Sequence, residues 1–119
     1  FIQDDVVKFV EREIRRGNKY DAIIMDPPAY GRGPTGQLWE IEKDLVNLIK
    51  LCSQVLSSSP LFFIINAYAT SFSSLALENI LREEIFNKFG GDIESGELGL
   101  KMSSRDLVLP CGLFARWTM

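Results

Sequence analysis

The chain has 119 residues, 46% hydrophobic, 24% charged and 11% aromatic, the profile of one globular domain rather than a disordered tail. Its 13 Lys and Arg against 16 Asp and Glu give a net charge of −3, which argues against a strongly basic nucleic-acid module and leaves only a local basic patch open. With no histidine and two distant cysteines, Cys52 and Cys111, the sequence offers no His-based metal site, no Ser-His-Asp triad, no Cys-His pair and no zinc or disulfide spacing.

The chain opens on Phe1-Ile2-Gln3-Asp4-Asp5 with no Met, and reads as an excerpt that begins inside a domain. Asp4 or Asp5 caps a helix expected over 6–16, whose Val6, Phe9, Val10 and Ile14 fall at helical spacing. Arg15 and Arg16 suit its C-terminal dipole and Gly17 supplies the stop. A short strand is expected over 20–25, apolar on both faces from Ala22, as in a parallel strand covered on both sides. Pro27 and Pro28 end it, and a Gly- and Pro-rich loop follows over 29–37. Leu38, Ile41, Leu45, Leu48, Ile49, Cys52 and Val55 step by threes and fours, predicting a long helix over 38–56 that Pro60 closes off. A buried strand over 61–65 follows, with Asn66-Ala67-Tyr68-Ala69-Thr70 leaving its end. Ser71 or Ser73 caps a third helix ending near Phe89, and two last strands, over 93–102 and 107–117, flank Ser103-Ser104-Arg105-Asp106. The fold class is therefore α/β, a mostly parallel sheet with one antiparallel strand at or near an edge. No apolar run approaches the ~18 residues of a membrane-spanning helix, and nothing resembles a signal peptide, so the expectation is a soluble cytoplasmic protein without membrane or metal.

In open α/β sheets ligands sit outside the carboxyl ends of the parallel strands. Two segments lie there, 26–37 and 66–71. Asp26 at a strand end can accept from an amino group or hold a cationic ligand. The two prolines stiffen the backbone, and their carbonyls are free of any ladder role. Tyr30 can stack on a planar base, and Arg32 can reach a phosphate or a base edge. The plain alternative is a rigid Asp-Pro-Pro turn with Tyr30 in the core. Asp5 is a cap or, at a strand end, an acceptor for an adenine amine. Asn66 with Tyr68 either faces a ligand or shapes its own turn.

Lys19-Tyr20-Asp21-Ala22-Ile23-Ile24-Met25-Asp26-Pro27-Pro28-Ala29-Tyr30-Gly31-Arg32-Gly33, followed by a long helix and closed by Leu113-Phe114-Ala115-Arg116-Trp117, resembles the C-terminal half of a class I S-adenosylmethionine-dependent methyltransferase. Within that superfamily it is most similar to the bacterial 23S (large-subunit) ribosomal RNA methyltransferase-like family. The resemblance implies a Rossmann-like, three-layer α/β/α fold with strand order 3-2-1-4-5-7-6. Residues 1–3 would then end strand 3, and the later strands would be strands 4 to 7. Strand 1 with its glycine-rich loop and strand 2 with its ribose-binding acid lie outside the chain. Residues 1–119 would be the C-terminal part of one catalytic domain whose N-terminal cofactor-binding half is absent, a piece inactive alone.

The resemblance also implies roles. Asp5, with the Val6 backbone, matches the adenine contact. Asp26 matches the acid beside methyl donor and target, Pro27 and Pro28 shape that wall, and Tyr30 and Arg32 match the target-facing loop. One departure is that Ala29 separates the second proline from Tyr30. The implied function is transfer of a methyl group from S-adenosylmethionine to RNA, on a ribosomal base. The same fold acting on protein or a small molecule, and an α/β binding or scaffold domain, remain open. No cysteine stands at 26–29 or 66–69, Cys52 reads as core and Cys111 as remote, so direct transfer to nitrogen is expected without a covalent intermediate. An unpaired edge on the 20–25 strand invites association with another chain.

Overall fold

Asp5 caps the first helix, α1 (Val6–Arg16), its carboxylate accepting from the Lys8 amide at 3.1 Å. Gly17 ends it in the left-handed region (φ 73°), which places its N–H 3.1 Å from the Ile14 carbonyl. The computed structural model describes residues 2–119. Of the strand end expected over 1–3, Phe1 lies outside the described residues, and Ile2 and Gln3 make no ladder. In chain order the remaining elements are β1 (Ala22–Met25), β2 (Tyr30–Arg32), β3 (Leu38–Glu40), α2 (Ile41–Val55), β4 (Phe62–Ala67), α3 (Ser74–Leu81), β5 (Asp92–Lys101) and β6 (Val108–Thr118). A π-helical turn, Arg82–Phe86, and a last short turn, Asn87–Phe89, continue α3. Ser73 caps α3, accepting from the Ala76 amide at 3.1 Å.

The main sheet has the order β1-β4-β6-β5. β1 and β4 are parallel, with Ala22 opposite Phe62 and Met25 opposite Ile65. β6 runs against both neighbours, pairing Phe63 with Trp117 on one side and Ile93 with Trp117 on the other. Three strands thus run one way and the expected single reversed strand, β6, lies beside the edge, which makes the sheet mixed, with one parallel and two antiparallel pairings.

The core lies on one face. Along β4 the alternate residues Phe63, Ile65 and Ala67 are fully buried, while Phe62, Ile64 and Asn66 are half-buried. Leu45, Ile49 and Cys52 of α2 and Leu77 and Leu81 of α3 are buried with them in one cluster. Trp117 closes that cluster, with its indole N–H donating to the Gly90 carbonyl at 2.6 Å, as a buried Trp requires. The other face carries Ile24, 66% exposed, and the Arg116–Glu94 ion pair. β1 is therefore not covered on both sides among the described residues, although its residues are apolar.

Two boundaries differ from expectation. Residues 38–40 are not the first turn of α2 but a strand, β3, which pairs antiparallel with β2 in a small hairpin. Leu38 stands 52% exposed, so its place in the helical periodicity is coincidental. The hairpin wins because Gly33 and Gly36 close its turn, through Gly33 N–H to Gln37 O at 2.8 Å and Gly36 N–H to Gly33 O at 3.0 Å. The second difference is β4, which runs on through Asn66 and Ala67 because β6 offers them partners, Phe114 and Leu113.

Candidate active site at the carboxyl edge of the sheet

The parallel register of β1 and β4 sets the site. Met25 lies level with Ile65, so the next residues, Asp26 and Asn66, stand side by side at one end of the sheet. Asp26 is exposed, Pro27 is buried and Pro28 is exposed. The stiff dipeptide thus holds a solvated carboxylate directly outside the strand. One expectation is corrected here. The Pro28 carbonyl is not free, since the Trp39 indole N–H donates to it at 2.6 Å. The Ala29 carbonyl accepts from the Ile41 amide at 3.0 Å, so the turn after Asp26 is tied to the start of α2.

A cavity of about 500 Å³ runs along the free edge of β1, and Val6, Phe9, Asp26, Pro27, Pro28 and Trp39 contribute to its wall. Asp5 opens instead onto a neighbouring groove with Gln3, Lys8, Gly33 and Gln37. Asp4 is occupied by Arg12, whose guanidinium holds its carboxyl below the usual range. Tyr30, 58% exposed, and Arg32, also exposed, are carried on β2, outside the cavity wall. Asn66 is a strand residue, half-buried, rather than a group leaving the strand. Tyr68 is 57% exposed, one residue past β4. It abuts the base of the β5–β6 hairpin, where Gly112 (φ 122°) passes so close that a Cβ there would lie 2.5 Å from the Ala67 carbonyl oxygen and 3.1 Å from the Tyr68 Cβ. The structure thus brings Val6, Asp26, Pro27 and Pro28 together and sets Asn66 beside Asp26. It leaves Asp5, Tyr30, Arg32 and Tyr68 around that centre rather than in its wall.

Two residues of the site carry no sequence signal of their own. Trp39 fits the helical periodicity poorly and is recognisable only once the hairpin exists. Glu42, an ordinary surface acid by position, accepts from the Thr70 hydroxyl at 3.0 Å and from the Ser71 amide and hydroxyl at 3.1 Å each. The Ser71 amide is the largest cause holding the Glu42 carboxyl down at about 2.

Gly31-Arg32-Gly33-Pro34-Thr35-Gly36 has the spacing of a dinucleotide-binding fingerprint. Its context is different: it spans β2 and the turn into β3, and no helix begins there to present its N-terminus to a phosphate. Neither cysteine is placed as a nucleophile. Cys52 is buried in the core, where desolvation pushes its thiol up to about 12. Cys111 is exposed and donates to the Leu109 carbonyl at 3.4 Å. It is less remote than expected, since its neighbour Gly112 packs on Ala67 and Tyr68. Among the described residues no group of three or more Cys, Asp or Glu is arranged to hold a metal ion, and no helix is long and apolar enough to cross a membrane.

No protein-family model and no curated relative matches the chain. Solved structures do. A SAM-dependent methyltransferase from Agrobacterium tumefaciens is 35% identical over 96% of this chain, with a TM-score of 0.88, and the match covers 38% of that protein. A SAM-dependent methyltransferase from Streptococcus mutans is 19% identical, TM-score 0.63, over 97% of this chain and 30% of its own. A methyltransferase complexed with SAH is 21% identical, TM-score 0.58, with the same two shares, 97% and 30%. The last two show the fold alone. The chain thus spans well under half the length of these three proteins, and its mixed α/β sheet is part of a Rossmann-like class I methyltransferase fold.

Proposed function

We propose that residues 1–119 form the C-terminal part of the catalytic domain of an S-adenosylmethionine-dependent methyltransferase that acts on RNA, on a base of the large ribosomal subunit. The observation that carries the methyltransferase part of this reading is the 35% identity to the Agrobacterium methyltransferase over 96% of the chain, and the RNA part rests on the family resemblance of the Asp26-Pro27-Pro28 loop. The solvated Asp26 beside Asn66 at the carboxyl edge of the sheet supports it. The free thiols of Cys52 and Cys111 are in keeping with a cytoplasmic site of action.

The residues present fit part of the cofactor. Val6 and Phe9 with Pro27 give an apolar wall for a planar ring, and Asp26 offers an acceptor at the open end of the same cavity. Asp5, half-buried at the start of α1, can accept from the adenine amine, although its cap to Lys8 already engages one oxygen. When bound, S-adenosylmethionine supplies an activated methyl on a sulfonium, open to in-line displacement. The chain's own contribution is to position and to exclude water. Asp26 accepts from the target amine and fixes its direction, Pro27 and Pro28 keep that carboxylate from swinging away, and Tyr30 offers a face for the base. Arg32 reaches toward a phosphate, and Asn66 stands beside Asp26 with Tyr68 two residues on. Cys52 lines the same cavity, but burial pushes its thiol up to about 12, so no thiolate is at hand to attack a pyrimidine ring and the acceptor is read as a nitrogen.

The test is transfer of labelled methyl from S-adenosylmethionine by the full-length protein, offered total RNA, total protein and small molecules separately. Label in RNA that ribonuclease releases is the expected result. Label only in protein or in a small molecule contradicts the RNA assignment, and no label in any fraction contradicts catalysis.

A further inference from the structure

The first turns of α2 touch both strand-end segments at once. On one side Ile41 N–H holds the Ala29 carbonyl at 3.0 Å, and the adjacent Trp39 indole holds Pro28. On the other side a single oxygen, Glu42 Oε1, takes the Thr70 hydroxyl and both the amide and the hydroxyl of Ser71. An acid in the first turn of a helix is favoured by the dipole alone. That preference does not require it to collect three donors from a loop 28 and 29 residues away. The loop it holds carries Tyr68 and contains Ala69 in the left-handed region (φ 51°). A non-glycine residue there is strained and persists only where its surroundings hold it. The Thr70 hydroxyl, while donating to Glu42, accepts from the Phe72 amide at 3.2 Å, so the clamp also stiffens the approach to α3.

We propose that Glu42 is a positioning residue: by clamping Thr70 and Ser71 to the head of α2, which also holds the Ala29 carbonyl, it fixes the Tyr68 segment relative to the Asp26 segment, so that the two strand-end segments are assembled before substrate arrives. This rests on the methyltransferase reading above. Glu42 touches no reacting atom and acts through the loop.

The experiment compares wild type, Glu42→Ala and Glu42→Gln in the full-length protein. It reads amide hydrogen exchange at Ser71, exchange in β4 and α2, S-adenosylmethionine affinity and kcat for methyl transfer. Glu42→Ala should speed Ser71 exchange about tenfold or more while β4 and α2 keep their protection. It should lower kcat about tenfold with cofactor affinity unchanged, the pattern of lost positioning. Glu42→Gln retains an acceptor oxygen and should restore most of both. Unchanged Ser71 exchange in Glu42→Ala overturns the clamp. Faster exchange with wild-type kcat overturns the positioning role. A wild type that transfers no methyl group at all removes the methyltransferase reading and this proposal with it, whatever Ser71 does.

Discussion

Asp26, just past β1, and Glu13, in α1, are both carboxylates, and their surroundings give them opposite roles. Glu13 is 3% exposed and accepts from Asn18 Nδ2 at 2.8 Å, from Arg16 at 3.1 Å and from the Tyr20 hydroxyl. Together these lower its pKa from the ordinary 4.5, the Tyr20 hydrogen bond first, and that bond in turn raises the Tyr20 hydroxyl. A carboxyl depressed in the folded state contributes stability that is fully present above its unfolded value and lost as pH falls through the folded one. The urea midpoint of wild type over Glu13→Gln should therefore hold steady from pH 7 to about pH 5 and shrink below 4.5. A difference that stays flat into acid contradicts this linkage. The thiols give a second test at this scale. Cys111→Ala and Cys52→Ala should retain methyl transfer in the full-length protein, and RNA containing 5-fluorocytosine should form no adduct. Trapping that vanishes with either substitution would reassign the acceptor to a ring carbon.

Among the elements, β1 is an edge strand of apolar residues. It pairs with β4 on one side, and among the described residues nothing pairs with its other edge. An apolar cavity runs along that edge, and Ile24 stands in solvent beside it. An open, apolar edge strand recruits another chain. The isolated 119-residue chain should thus dimerise or aggregate with rising concentration, read by light scattering, and a monodisperse monomer at high concentration counts against it. Elements were legible in the sequence where one element's own pattern decides them. α1 has its cap and its Gly17 stop, the buried face of α2 repeats at threes and fours, and β4 is a dense apolar run. The β2–β3 hairpin was not legible, because each strand has three residues and its anchor is a contact between Trp39 and Pro28, 11 residues apart. The Asn66 boundary was hidden for a similar reason: β4 continues only because Phe114, distant in sequence, pairs with it.

At the scale of the whole molecule, the single reversed strand follows from alternation plus a final hairpin, whereas the order β1-β4-β6-β5 was legible only through the family resemblance, with whose 4-5-7-6 it agrees. Residue identity shows that Asp26 ends a strand; only the register, Met25 against Ile65, places Asn66 at its side. The clamp from Glu42 to Ser71 depends on how α2 sits over the post-β4 loop and has no local signature at all. On the proposed reading the wall around Asp26 is one part of a cofactor site, so the isolated chain should give no binding heat with S-adenosylmethionine at micromolar concentrations, and micromolar affinity by calorimetry would show the site to be self-sufficient. The most direct measurement is Asp26→Asn in the full-length protein, with methyl transfer and thermal midpoint taken from the same preparation. Asp26 is exposed and outside the core, so the substitution should move stability by no more than about 0.5 kcal/mol, while the loss of a fixed acceptor should lower methyl transfer about a hundredfold. Activity kept within a few-fold of wild type, or lost only in step with the midpoint, would contradict a methyl-transfer site at this edge of the sheet.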